Sequence, residues 1–298
     1  MLPVLAMYSM ENGACGDFVT GAARWQGELV VGTFDQGACV LRRGEWVHIP
    51  LPSEMVNDVA VVGDKLWVAT AEGLVEVSRD LSTVVYGEVG DNAPRSSPGL
   101  NHPGANALAV RGKALWVADV LGPVRLDTAR PADGWRRYRW HVTGHSYQAV
   151  AACAESTFVG SEDDGLALRG LELGSQNGKS DWHHVNALDG LPEDWVMALA
   201  CAGPRAAWVG TYRHGVGKLD AQGYTPVAGL DDAWVQALAV DGDTLWVGTA
   251  DGLYRVNDRA EKLTTDDAWT VVVAGDELLV GTRTGLIVYP RAAPPPSR

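Results

Sequence analysis

Seven histidines supply the side chains whose ordinary pKa suits proton transfer near neutrality. Two of them, His145 and His214, fall in turn-rich segments where a general base can meet a reactant. Such a base needs a neighbour to tune it and a substrate within hydrogen-bond reach. The sequence supplies neither, so this pair is the weak catalytic candidate for a lyase or hydrolase. His183 and His184 are adjacent on a predicted strand, which sends their rings to opposite faces and prevents them from sharing a metal. No GxSxG, HExxH or phosphate-binding glycine loop is present. The run Glu162-Asp163-Asp164 lacks the alternating acidic loop and the six oxygens that calcium asks for. Cys15, Cys39, Cys153 and Cys201 have no CxxC spacing. Cys153 and Cys201 lie in apolar runs, where a free thiol acts as a small hydrophobe. All four are expected to be reduced. No metal and no cofactor are expected.

The elements that must position these groups are repeats. A strand-and-turn signature recurs as LVVGTFDQGACVL from Leu29, LWVATAEGLVEV from Leu66 and LWVADVLGPVRL from Leu115. It returns as TFVGSEDDGLALR from Thr157, AWVGTYRHGVGKL from Ala207, LWVGTADGLYRV from Leu245 and LLVGTRTGLIVY from Leu278. Each copy has a glycine in the same turn: Gly37, Gly73, Gly122, Gly165, Gly215, Gly252 and Gly285. A glycine in one slot implies positive φ or close backbone approach there. Each copy follows an apolar first strand, and most precede a more polar fourth strand. The copies are spaced like four-stranded propeller blades.

The expected fold is therefore all-β: a seven-bladed propeller of four-stranded antiparallel blades. The last copy lacks a fourth strand, while a spare strand, Pro3 to Ser9, precedes the first. The N-terminal strand is expected to complete the last blade and close the ring. Residues 1–290 then form a single propeller domain, and 291–298, RAAPPPSR, a disordered tail. Two segments interrupt the repeat as loops, Gly87 to Gly104 and Gly170 to Ser180.

The segment NALDGLPEDWVMALACAGPRAAWVGTYRHGVGKL, Asn186 to Leu219, together with LWVGTADGLYRV, resembles the two-component regulator propeller repeat. DGLP, Asp189 to Pro192, stands where that repeat has its N-G-L-P turn. The resemblance covers nearly the whole chain and is strongest in blades two, five and six. It implies a seven-bladed propeller used for recognition, often of a carbohydrate or for dimerisation, in the extracytoplasmic sensor of a membrane-bound kinase. The sequence shows no transmembrane helix and no kinase, so only the propeller is carried over.

In a propeller, ligands sit on the face carrying the blade-to-blade loops and the turns after each second strand. Aligned first strands put Thr20, Asn57, Asn106, Gln148, Met197, Gln236 and Trp269 in one ring. Amides suit a hydroxyl-rich ligand, and equally a water-filled channel. Tyr147, Trp195, Trp234 and Trp269 enter consecutive blades, either as an aromatic wall for stacking or as interblade packing. Arg213 and Arg283, in turns two blades apart, suit a planar anion or are solvated. The run Trp135 to His141 reads as a basic, aromatic edge. Its Arg137, Arg139 and Trp140 either bar edge aggregation or form a partner surface.

The net charge of −13 argues against nucleic acid as a partner. No apolar run is long enough to span a membrane. The N-terminus lacks a basic, then apolar, signal pattern, and a cytoplasmic location is expected. The function expected is a non-catalytic binding or scaffold propeller for a protein partner or a small polar, carbohydrate-like ligand.

Overall fold

A computed structural model describes residues 2–90, 93–94, 96–176 and 180–291. Seven antiparallel sheets form seven blades around an axis. Their inner strands are Val19–Trp25, Val56–Val62, Ala105–Arg111, Ala149–Ala152, Val196–Gly203, Val235–Asp241 and Thr270–Ala274. The seventh blade is completed by Ala6–Tyr8 on the outside of Gly285–Pro290, in the register Ala6 to Val288 and Tyr8 to Leu286. The ring closes as the repeat count requires. Arg24 of blade one forks onto Glu277 of blade seven at 2.8 and 2.9 Å, which fastens the same seam.

Both faces of most blades are buried, so second strands such as Leu66-Trp67-Val68-Ala69 are apolar without alternation. The buried apolar residues fall into seven clusters, each shared by two neighbouring blades. The core is a ring of wedges rather than one centre, and it leaves an axial channel. Glycine at the Gly210 slot lets the next blade come close: a Cβ there would lie 2.3 Å from Val235 Cγ1.

Turn geometry repeats with the blades. The second strand ends in a buried Thr or Ser whose hydroxyl donates to the carbonyl of the turn glycine. Thr33 bonds Gly37, Thr70 Gly73, Ser161 Gly165, Thr211 Gly215, Thr249 Gly252 and Thr282 Gly285, at 2.8 to 3.2 Å. Gly215 has φ 69°, and a Cβ there would meet the carbonyl oxygen of Leu230 at 1.7 Å. Blade three departs. Its Asp119 carboxylate instead accepts from the backbone N–H of Asn101, His102 and Leu121.

Both interruptions carry more structure than loops. Blade four gains a two-residue edge strand, Ser175–Gln176, beside Trp182–Val185. The Gly87 to Gly104 segment is clamped by Arg137, whose guanidinium donates to the carbonyls of Val89, Ala93 and Pro94, each at 3.0 Å. Arg137 is therefore buried, 2% exposed, and faces inward rather than toward a partner. The tail expected at 291–298 lies outside the described residues apart from Arg291.

The cysteines overturn two expectations. Cys15 and Cys39 form one disulfide, and Cys153 and Cys201 a second, with Cα atoms 6.0 and 5.4 Å apart. The first ties the segment leading from the closing strand to blade one. The second joins the residue that follows the inner strand of blade four to the inner strand of blade five. Disulfides persist in oxidising compartments, so reduced thiols and a cytoplasmic location are both set aside. Apolar context hid the pairing: two Cys at neighbouring inner strands look like core residues until the blades are set side by side.

Deleting residues 2–9 removes the closing strand, and calorimetry should show a sharply lower Tm. An unchanged Tm would contradict closure by this strand. Each disulfide contributes about 2–4 kcal/mol, so the Cys153→Ser/Cys201→Ser pair should melt roughly 5 °C or more below the native chain.

Candidate functional site

Each blade presents one residue to the channel mouth at the start of its inner strand. In five blades the register against the second strand skips a residue, a β-bulge that re-aims its side chain. The skipped residues are Thr20, Asn57, Asn106, Met197 and Gln236. Gln148 and Trp269 take the same slot, their N–H groups donating to Gly160 and Gly281, each at 2.8 Å. All seven line a channel of about 320 Å³.

The ring is not symmetric. Thr20 Oγ1 donates to the carbonyl of Val56, Asn57 Nδ2 to Ala105 at 2.8 Å, and Asn106 Nδ2 to Tyr147 at 2.7 Å. These three bonds latch blades one to two, two to three and three to four. Gln148 turns to Glu162 of its own blade, Nε2 to Oε1 at 2.8 Å. Gln236 makes no such bond. Both its amide nitrogen and its oxygen are buried without a hydrogen-bond partner among the described residues. A buried amide with both ends unpaired is costly.

Around the open half runs a chain of six rings. Trp195 stacks on Tyr212 at 4.3 Å between centroids, and Tyr212 meets Trp234 edge-on at 4.9 Å. Trp234 meets Trp269 at 6.1 Å, Trp269 meets Phe18 at 4.8 Å, and Phe18 stacks on Phe34 at 5.1 Å. The arc spans blades five, six, seven and one. Trp269 belongs both to it and to the channel wall. Arg213 lies over Tyr212 at 5.0 Å, and Arg283 over Trp269 at 5.0 Å. Arg283 is also held by Asp267 at 3.3 Å, and Trp269 Nε1 donates to the same carboxylate at 2.7 Å. Sequence reasoning found Trp195, Trp234 and Trp269 and put Tyr212 in a turn at this face, but missed Phe18 and Phe34. Phe18 precedes the first inner strand, as Trp234 and Trp269 precede or begin theirs, so position carried the signal.

Tyr147 lies elsewhere. It is 1% exposed and packs in the wedge between blades three and four, where burial holds its phenol well above the usual range. His145 faces Asp163 at 3.8 Å and His214 faces Glu193 at 3.5 Å, but the side chains are 70% and 53% exposed and neither lines the channel. A third group, unexpected from the sequence, gathers Thr143, Asp164 and the buried His184. Thr143 Oγ1 donates to Asp164 and lies 3.0 Å from His184 Nδ1. Burial pushes the His184 imidazole below its usual range against the pull of Asp164. Arg139 and Trp140 sit on a 3-10 turn, Arg139–His141, with the guanidinium 5.6 Å above the half-exposed indole.

The channel wall also holds a carboxylate. Asp58 follows Asn57 on the inner strand of blade two. Burial pushes its pKa up to about 7, against the N–H groups of Leu108 and Val59. Asp119 is pushed up to about 7 by burial too, against its three backbone donors. An unfolded aspartate titrates near pH 4. Between about pH 4 and 7 the native carboxyl keeps a proton the unfolded chain has released, so stability falls as pH rises through that window. Asp58→Asn should remove about half of that fall, leaving the Asp119 part, in urea melts at several pH values. An unaltered slope would contradict a buried, protonated Asp58.

No family model matches the chain, and no curated protein sequence does. Solved structures do. The chain superposes on the extracellular domain of the hybrid two-component system BT3049 from B. thetaiotaomicron with TM-score 0.77 and 19% identity, covering 98% of this chain and 42% of that one. It superposes on the corresponding domain of BT4673 with TM-score 0.77 and 14% identity, covering 99% and 44%. It therefore spans less than half the length of these two chains. Virginiamycin B lyase from Staphylococcus aureus superposes with TM-score 0.70 and 13% identity over 97% of this chain and 98% of that one. The first two are extracellular, in keeping with the disulfides and against the cytoplasmic expectation. The chain is a seven-bladed β-propeller built like the propellers in the extracellular domains of two-component systems.

Proposed function

We propose that this propeller is a non-catalytic recognition module that binds a small, hydroxyl-rich ligand, carbohydrate-like in chemistry, on the open half of its channel mouth. The observation that carries the reading is Gln236: a buried amide, donor and acceptor both unpaired, beside a continuous aromatic arc. Aromatic faces offer large apolar area to the C–H faces of a ring-shaped ligand, and an amide reads hydroxyls by donating and accepting. Binding pockets combine such apolar walls with a few convergent polar groups. The latched half, with Asn57 and Asn106 bonded to the next blade, serves as scaffold in this reading. Propellers of this build belong to extracellular domains of two-component systems, and a sensor that binds a soluble ligand fits that company.

A lyase is the other reading, favoured by the fold of virginiamycin B lyase and by the carboxylates beside His145 and His214. Both histidines are exposed on turns, and an ion pair in water tunes little. Recognition is preferred on that ground.

Tryptophan fluorescence titration with an oligosaccharide panel is the test. A ligand should quench the native chain, and Trp234→Ala and Gln236→Ala should each weaken its binding by about tenfold or more. His214→Ala should leave binding unchanged. Failure of every sugar to perturb the fluorescence would sink the carbohydrate assignment. Turnover of a bound ligand, lost in His145→Ala or His214→Ala, would establish the lyase reading instead.

A further inference from the structure

A second cavity, of about 520 Å³, opens between blades three and four, on the side where Arg111 ends its inner strand, away from the channel mouth. Arg111, Arg125, Arg136 and Arg169 line it, with Tyr138 and a single carboxylate, Asp181. Arg137 lines it as well, with its guanidinium bonded to the carbonyls of the insertion, so five arginines stand against one aspartate, an unusual balance in a chain of net charge −13.

The repeat provides an internal control. Arg125 sits opposite buried Trp116 on the second strand and directly opposite Arg136 on the fourth. Blade six has the same slots: Arg255 sits opposite Trp246 and directly opposite Glu261, to which it is ion-paired at 2.6 Å. Blade two has Glu76 there, paired with Lys65 at 3.3 Å. Blade five has Lys218, paired with Asp220 at 3.1 Å. In each of these blades the charge at this slot is ion-paired, whereas Asp127, which stands to Arg125 as Asp220 stands to Lys218, is within electrostatic reach of Arg125 but bonded to Arg130. Blade three places two arginines directly across from each other in the ladder, and like charges in that position destabilise a sheet.

Arg111 and Arg169 are fixed by other bonds. Arg111 donates to the carbonyls of Cys153 and Ser156, and Arg169 pairs with Asp181 at 2.5 Å and reaches Tyr138 Oη at 3.4 Å. They frame the cavity in set positions. The side chains of Arg125 and Arg136 make no ion pair or hydrogen bond with any described residue. Burial and the neighbouring charges of Arg125 and Arg169 hold the Arg111 guanidinium below its usual range, the mark of cations gathered at close quarters. Guanidinium forks bind planar and tetrahedral oxoanions by two parallel hydrogen bonds. A multiply charged oxoanion between Arg125 and Arg136 would do for blade three what Glu261 does for blade six.

We propose that the cleft between blades three and four is an anion site for a phosphate or sulfate group, free or as an ester on a larger ligand, gripped by Arg125 and Arg136 and framed by Arg111 and Arg169. The site is separate from the aromatic arc, and its fate does not depend on the channel-mouth reading.

Calorimetric titration of the full chain at constant ionic strength tests it, with inorganic pyrophosphate in one arm and a sulfated disaccharide in the other. Saturable binding in at least one arm is expected, and the preferred arm names the source. Arg136→Glu rebuilds the blade-six pair. It should weaken binding by about tenfold or more and, without anion, raise the Tm, because repulsion becomes attraction. Arg125→Gln removes one fork without adding a carboxylate and gives the same direction of binding change if Arg136→Glu folds poorly. Arg259→Gln, at an exposed bend of blade six, should bind as the native chain does. Absence of saturable heat in both arms, or equal affinity in native and Arg125→Gln chains, would overturn the proposal.

Discussion

A buried hydroxyl at the end of the second strand governs the loop face. In six blades it donates to the carbonyl of the turn glycine, and in all six it also accepts from an N–H inside the turn. Thr211, for example, donates to Gly215 and accepts from the N–H of His214. One atom thus satisfies two backbone groups that burial would otherwise leave unpaired. The glycine supplies the positive φ and lets the outer chain pass close by. With the turn fixed, the residues at its tip have fixed positions as well, and Tyr212 and Arg213 reach the aromatic arc for that reason. Blade three uses a carboxylate in this slot. Asp119 has two oxygens that accept, so it takes up the N–H groups of Asn101 and His102 and holds down the long insertion instead.

That interaction also explains what the sequence made legible. A pattern of Thr or Ser, a short turn and Gly is local, so the number of blades, their order and the ring closure could be read from the chain alone. The ring of bulge residues was legible for the same reason, since each stands at a constant distance before its second strand. What each of them does was not. Asn57, Asn106 and Gln236 look alike in sequence, yet two reach the next blade and one does not. Arg137 was read as surface, although strand alternation puts it on the same side as Trp135, which is buried. The signal was present, but the charge outweighed it. Three backbone carbonyls from an insertion more than forty residues earlier satisfy that charge, and no local pattern announces them. The disulfides and the Thr143, Asp164 and His184 group are likewise contacts between segments distant in sequence.

The joints between blades are held by different chemistry around the ring. Polar latches from Thr20, Asn57 and Asn106 serve the first three. Where the latches stop, the Cys153–Cys201 disulfide joins blades four and five. Arg291 of blade seven pairs with Asp241 of blade six, and Arg24 with Glu277 closes seven to one. Among the described residues, no side-chain hydrogen bond or ion pair joins blades five and six. Their joint rests on apolar packing around Val235, on the contact of Tyr212 with Trp234, and on the backbone bond from Gly215 to Ala233. Met197 holds the slot that would latch this joint, and Gln236, in the same slot of the next blade, keeps its amide unpaired. A ligand entering there gains hydrogen bonds without breaking any, whereas at Asn57 or Asn106 it would have to displace a latch first. The same accounting separates the two faces of the molecule. At the mouth the unpaired group is neutral and flanked by aromatic rings, which favours a neutral, hydroxyl-rich ligand. In the cleft between blades three and four the unpaired groups are two like charges, which favours an anion.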